Sequence, residues 1–108
     1  MDDDYGARKI RVLSLAKQLL AGQLGVIAAA RALAPLRHDA EPELSEMLLV
    51  FTGIDSETDN LPVGEVRQHW RAEALEGKDR EITEAEELYR DSAMKAATSL
   101  VRLLEVLQ

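Results

Sequence analysis

The last third of the chain restricts its fold most, because an apolar repeat runs from about Ala72 to Leu107 without a proline. Apolar residues recur there at spacings of three and four, which is the period of one face of an α-helix. This pattern predicts one long C-terminal helix whose apolar face must be covered by other helices. The repeat consists of Ile82, Ala85, Tyr89, Ala93, Ala96, Leu100, Leu103 and Leu107. On or near the wet side of this helix we expect Glu84, Glu86, Glu87 and Arg90, with Glu86 paired to Arg90 one turn later.

The N-terminal segment from Tyr5 to Ala34 has the same period but is interrupted by two glycines. A glycine inside a helix costs about 1 kcal/mol relative to alanine, so two of them close together favour a break. We therefore predict that a first helix ends at Gly22 and that a second begins near Gly25. Pro35 ends the second helix, because proline disfavours the helical conformation in the residue before it.

The middle of the chain predicts two shorter helical pieces. The first, "EPELSEMLLVF", places Pro42 in the first turn of a short helix. The second, "GEVRQHW", forms about two turns, with Val66, His69 and Trp70 expected to face inward. No convincing alternating β segment competes with these helices. The sequence therefore predicts an all-α protein, a compact four- or five-helix bundle formed by residues 1–108 as a single domain.

The charge distribution points to one class of partner. The net charge is −7, and residues 36–64 carry seven acidic side chains against a single arginine. Such a field repels nucleic acid and anionic membranes and attracts a basic protein. The chain has no cysteine, and its acidic start "MDDDYG" lacks the features of a signal peptide. No apolar run reaches the roughly 18 residues of a membrane span, so we expect a cytoplasmic protein.

The stretch "GIDSETDNLPVG", residues 53–64, is expected to be an acidic central loop. Asp55, Glu57 and Asp59 match the first three ligand positions of a calcium-binding loop. The twelfth position, which needs a glutamate, is Val66, although Glu65 is its neighbour. The missing ligand argues against an ordered calcium site. We predict a partner-binding role for Asp55, Glu57, Asp59 and Glu65, whose outward carboxylates could receive lysines or arginines of another protein, without a metal or other cofactor.

Other interpretations of this loop stay open. Its Asp, Ser, Thr and Asn residues are also typical of turns and helix caps, which would make it a structural corner. An ion pair between Arg67 and the loop acids would make it an internal brace. Alternatively, the loop carboxylates together with His69 could bind a divalent metal.

Catalysis has little support in the sequence. The two histidines, His38 and His69, belong to different segments, and the serines and threonines have no glycine elbow or spaced base. There is no glycine-rich phosphate loop. We therefore expect no catalytic residues and no enzymatic activity.

The run "FTGIDSETDNLPVGEVRQHW", residues 51–70, resembles a segment of a family of small uncharacterised bacterial all-helical proteins. The resemblance implies a cytosolic helical protein, and some small acidic proteins of this appearance look like immunity proteins that neutralise toxins. It brings no functional residues to this chain. We therefore predict a small bacterial protein-interaction module, similar in role to an immunity protein, that binds a basic partner through its acidic loop. A metal-binding protein and an oligomeric bundle, with the last helix as a homodimer seam, are the alternatives.

Overall fold

The computed structural model describes residues 2–38 and 40–106, and over these residues the fold is all-α, as the periodicity predicts. Four α-helices and two short 3₁₀ helices follow one another, with no strand among the described residues. The α-helices are α1, Asp2–Leu20; α2, Val26–Leu33; α3, Pro42–Glu57; and α4, Ala72–Val106. The 3₁₀ helices are Ala34–Arg37, after α2, and Gly64–His69, between α3 and α4.

The core lies where α4 meets the three other α-helices, each of which it contacts. Helix α2 is short and apolar, and it also contacts α1 and α3. Burying a large apolar side chain is worth about 1.5–3 kcal/mol, so these contacts dominate the stability of the bundle. The largest fully buried apolar side chains are Phe51, Leu19, Ile27, Leu33, Leu48, Leu100, Leu104, Val12 and Val26.

The apolar repeat of α4 is a true helix face, but its burial is uneven. The C-terminal half of the repeat is buried at Ala93, Ala96 and Leu100, whereas Ile82 and Tyr89 are only half-buried. Other members of the repeat differ in the same way: Ala85 and Leu103 are half-buried, and Leu107 lies outside the described residues. Spacing thus identifies the face, whereas the neighbouring helices decide how deeply each part is covered.

The break between α1 and α2 has the form that its glycines predict. Gly22 has a φ of +76°, a left-handed conformation that glycine adopts without steric cost. The N–H of Gln23 donates to the Gln18 carbonyl at 2.9 Å, and the N–H of Gly22 donates to the Leu19 carbonyl at 3.1 Å. These two bonds form a Schellman motif, which closes the C-terminal end of α1. The prediction that the first helix ends at Gly22 is confirmed.

The N-terminal end of α2 is capped by a side chain of α4. Gly25, its N-cap residue, has no side chain to offer, and the first turn of α2 contains no acidic residue. The Glu86 carboxylate on α4 accepts hydrogen bonds from the N–H groups of Val26 and Ile27, both at 2.7 Å. The prediction that Glu86 lies on the wet side of α4 and pairs with Arg90 is therefore wrong.

Close approach explains the glycine at this position. A Cβ atom at residue 25 would lie 3.1 Å from Oε1 of Glu86, closer than nearly all such contacts. Gly25 has an ordinary φ of −71°, so the constraint comes from the approach of the carboxylate and not from the backbone conformation. The same glycine that interrupts the helical pattern thus makes room for the cap.

Two expectations for the middle of the chain need correction. The predicted short helix extends to Glu57 and takes in the first half of the expected acidic loop, because the apolar face of α3 continues to the buried Ile54. Residues Val66 and His69, expected to face inward, are exposed, and Trp70 is half-buried. A 3₁₀ helix has three residues per turn, so the inward face inferred from an α-helical period does not apply there.

We predict that Glu86→Ala destabilises the fold by about 2–4 kcal/mol, because two helix N–H groups in a largely buried position lose their acceptor. Chemical denaturation followed by circular dichroism measures this change in the free energy of unfolding. The matched control is Glu87→Ala, the same substitution at the neighbouring exposed position. Equal, small effects of both substitutions would contradict the capping role.

A second variant tests the close approach itself. Gly25→Ala should destabilise the wild-type protein and should cost less when Glu86 is already alanine, since the carboxylate that the new methyl group meets is then absent. Additive effects in this double-mutant cycle would show that the two residues are not coupled.

Candidate functional site

The strongest candidate site is a cleft of about 350 Å³ between the C-terminal end of α3 and the N-terminal half of α4. We call it the acidic cleft. Three carboxylates surround it, and Leu88 lies among them with 72% of its surface exposed. The cleft is lined by Glu57, Thr58, Asn60, Leu61, Glu81, Glu84, Ala85, Leu88 and Tyr89.

The four predicted partner-binding residues do not form one site. Glu57 lines the acidic cleft, and Asp59 is exposed on the turn that follows α3. Glu65 is exposed on the 3₁₀ helix, outside the cleft lining. Asp55 is half-buried, and its Oδ1 atom lies 3.9 Å from Nε of Arg31. A partner-binding role for these residues stays a prediction, and the geometry favours Glu57 as its centre.

The other two carboxylates of the cleft come from α4, and the sequence analysis did not assign them a binding role. Glu81 and Glu84 are one helical turn apart and more than twenty residues beyond Glu57. Only the packing of α4 beside α3 brings them to the same cleft. Their spacing on α4 indicates a shared face, but nothing in the sequence indicates which helix end that face meets.

Arg31 on α2 holds the turn that closes the cleft. Its Nη2 group donates hydrogen bonds to the carbonyl oxygens of Thr58, the C-cap residue of α3, and of Leu61 in the turn that follows. A guanidinium is favourable there, because the last carbonyls of a helix carry partial negative charge. Thr58 is buried, and its hydroxyl donates to the Ile54 carbonyl at 2.7 Å. The turn after α3 is thus braced from inside the protein, and Arg31 provides the brace.

The sequence does contain a signal for Arg31, which is the one charged residue within α2, "VIAAARAL". A lone charge in an apolar helix needs a partner when the helix is buried. The partner itself could not be read from the sequence, since backbone carbonyls carry no sequence signal.

Arg67 pairs with α4 and not with the acids of the predicted loop. Its guanidinium donates to both carboxylate oxygens of Asp79, at 2.6 and 3.1 Å, and to the Pro62 carbonyl at 3.2 Å. The hydrogen bonds from Arg67 hold the pKa of the Asp79 carboxyl below its usual value of 3.8. This pair fastens the segment after the turn to the first part of α4.

The carboxylates of the acidic cleft differ in how far they are neutralised. Glu81 has an ion pair with Lys78 at 3.2 Å on the same helix. Over the described part of the chain, Glu57 and Glu84 have no ion-pair partner. Two unneutralised carboxylates beside an exposed leucine can accept the ammonium or guanidinium of another molecule while its apolar atoms cover Leu88.

The calcium-loop pattern does not form a loop in the structure. Asp55 and Glu57 are both in α3, where side chains two residues apart point to different sides of the helix. Within residues 2–38 and 40–106, no three His, Cys, Asp or Glu side chains form a group that could hold a metal ion. His38 and His69 are both exposed. Over the same residues, no helix has the length and apolar character needed to cross a membrane.

We predict that Arg31→Ala destabilises the protein by about 1–3 kcal/mol, since two carbonyls lose charge-assisted hydrogen bonds. Hydrogen exchange should also show earlier opening of the turn at residues 58–61. Arg11→Ala, at an exposed position on α1, is the control. Asp55→Asn should cost less than Arg31→Ala, because its ion pair is long at 3.9 Å. A larger loss from Asp55→Asn would mean that the ion pair, and not the carbonyls, holds the turn.

The Arg67 and Asp79 pair predicts a pH dependence. Because the pKa of Asp79 is lower in the folded protein, its contribution is complete above about pH 5 and is lost as the pH falls below 3.8. The difference in denaturant midpoint between wild type and Asp79→Asn should therefore shrink between pH 7 and pH 3. A difference that is unchanged over this range would argue against the ion pair.

Comparison with protein-family models, with curated proteins and with solved structures found no match for this chain. The resemblance of residues 51–70 to small bacterial helical proteins therefore stays a prediction.

Proposed function

We propose that this protein is a small cytoplasmic protein-interaction module that binds a basic segment of another protein at the acidic cleft. The observation that carries the proposal is the convergence of Glu57, Glu81 and Glu84 around the exposed Leu88. Carboxylates beside an exposed apolar side chain fit a lysine or arginine, whose stem is apolar and whose end is charged. Long-range attraction to the acidic surface would speed association and weaken with salt.

The rigidity of the cleft supports the same function. Glu57 is the last residue of α3, and the turn after it is tied to α2 through Arg31. The remaining carboxylates, Glu81 and Glu84, lie within the long helix α4. A site whose groups are already held in place loses little conformational entropy on binding, so even a modest contact area can give useful affinity.

A more specific form of this proposal is an immunity-like role, in which the basic partner is a toxin and the acidic cleft covers part of its surface. It depends on the resemblance to small acidic bacterial proteins and on the net charge of −7. The absence of cysteine is consistent with the reducing cytoplasm. We expect no catalytic role, because the sequence has no glycine elbow and no glycine-rich phosphate loop.

A displayed peptide library tests the proposal, because selection from random sequences does not require a known partner. Random peptides of about 16 residues are selected on the full chain at low salt. We expect enrichment of sequences rich in lysine and arginine that also carry apolar residues. Synthetic copies of these peptides should bind at least about tenfold more weakly to a Glu57→Lys, Glu84→Lys variant, a change of about 1.4 kcal/mol. Raising the salt concentration should weaken binding to the wild type.

The control variant is Glu73→Lys, Glu76→Lys, which changes the net charge equally at exposed positions of α4 outside the cleft lining. It should reduce affinity far less than the cleft variant. Equal reduction by both variants would mean that only net charge matters and that the cleft is not the site. Failure to enrich basic peptides would reject the proposed function.

A further inference from the structure

A second cleft lies farther along the contact between α3 and α4, and we call the two clefts together the α3–α4 groove. Its wider part is a cleft of about 600 Å³ lined by Glu43, Glu46, Met47, Val50, Ser92, Lys95, Ala96 and Ser99. The N-terminal half of α3 thus lies beside residues 92–99 of α4, whereas its C-terminal end lies beside residues 81–89. The two helices are therefore antiparallel, and both clefts lie along their contact.

Helix geometry relates the two clefts. On α3, Glu46, Val50, Gly53 and Glu57 follow one another at spacings of four, three and four, so they form a single stripe. All four are exposed. The stripe spans eleven residues, or about 16 Å along the helix axis.

A matching stripe borders the groove on α4. Leu88, Ser92, Lys95 and Ser99 have the same spacing of four, three and four, and all are exposed. Several positions along the groove are small, and a Cβ atom at Gly53 would meet nothing within 4 Å. On the α4 side, the side chains of Ser92, Ser99 and the buried Ala96 are small and project little into the groove. Such a groove lets the backbone of a third helix approach closely.

The charge along the groove distinguishes between two possible occupants, a second copy of this chain and a basic helix of another protein. Five carboxylates and a single lysine line the two clefts: Glu43, Glu46, Glu57, Glu81 and Glu84 against Lys95. In a two-fold homodimer each surface meets its own copy, so this arrangement would set five carboxylates against five. Like charges across an interface are unfavourable, whereas a helix with lysine and arginine beside its apolar face would complement this groove.

From these observations we infer that the α3–α4 groove binds an amphipathic α-helix of the basic partner, packed between the two stripes with its lysine and arginine residues toward the carboxylates. The inference rests on the proposed function and specifies the conformation and the apolar pattern of the partner segment. The bound helix places apolar residues at spacings of three and four against Val50, Met47 and Leu88. Its basic residues lie along both edges of that face.

The peptides selected on the full chain provide the probe. One selected basic peptide is synthesised in two forms, the original and a version with two central residues changed to proline, which keeps its charge and prevents a helix. We expect circular dichroism to show helix formation when the original binds. Its affinity should exceed that of the proline form by at least about tenfold, corresponding to about 1.4 kcal/mol.

A groove-filling variant tests the location. Gly53→Leu adds a large side chain to the α3 stripe where a Cβ atom meets open space, and leucine favours a helix more than glycine does, so the fold should be retained. The matched control is Gly77→Leu, at another exposed glycine of a helix with open space around it. Gly53→Leu should weaken binding of the helical peptide by at least about tenfold, whereas Gly77→Leu should change it by less than about twofold.

The outcomes separate this inference from the proposed function. If both peptide forms bind equally and Gly53→Leu has no effect, but the Glu57→Lys, Glu84→Lys variant loses binding, the helix-binding groove is rejected and the acidic cleft remains. If no basic peptide binds, both are rejected. Sedimentation that shows a salt-resistant homodimer broken by Gly53→Leu would also overturn the inference, because a second copy would then occupy the groove.

Discussion

The arrangement of this bundle depends on the contact between the Glu86 carboxylate and the N-terminal end of α2. The first N–H groups of a helix have no partner within it, and α2 supplies no capping side chain of its own. A carboxylate from α4, about sixty residues later, accepts two of these groups. This contact joins α2 to α4, and the carboxylate approaches so closely that a Cβ atom at position 25 would lie only 3.1 Å from it. One side chain thereby sets the register between a short central helix and a long outer one.

The position of α2 in turn determines the shape of the acidic cleft. Arg31, in the last turn of α2, donates to the Thr58 and Leu61 carbonyls and holds the turn after α3. Because Glu57 immediately precedes that turn, its carboxylate is held facing the part of α4 that carries Glu81 and Glu84. Two polar contacts, each between distant parts of the chain, therefore connect the helix register to the surface for which we propose a function. Hydrophobic burial stabilises the bundle, but these contacts select one arrangement of it.

The predicted loop shows how local spacing can mislead. Asp55, Glu57 and Asp59 alternate in sequence, and alternation suggests a common side if the chain is extended. Helix α3 continues through the first two, because Ile54 extends its apolar face into the core. In a helix the same residues separate: Asp55 turns toward Arg31, whereas Glu57 lines the cleft. The first part of this polar stretch is therefore helical, and its Ile54 side chain is buried in the core.

Several features of this protein follow from its sequence alone. These are the all-α fold, the long last helix, the end of α1 at Gly22, the start of α2 at Gly25, and the acidic character of the surface. Local propensity, periodicity and charge determine them. The tertiary structure decided the rest. The cap by Glu86, the brace by Arg31 and the convergence of Glu57 with Glu81 and Glu84 each join residues more than twenty positions apart, and two of these contacts involve backbone groups, whose identity no side chain reveals. The register between helices therefore could not be read from the order of the residues.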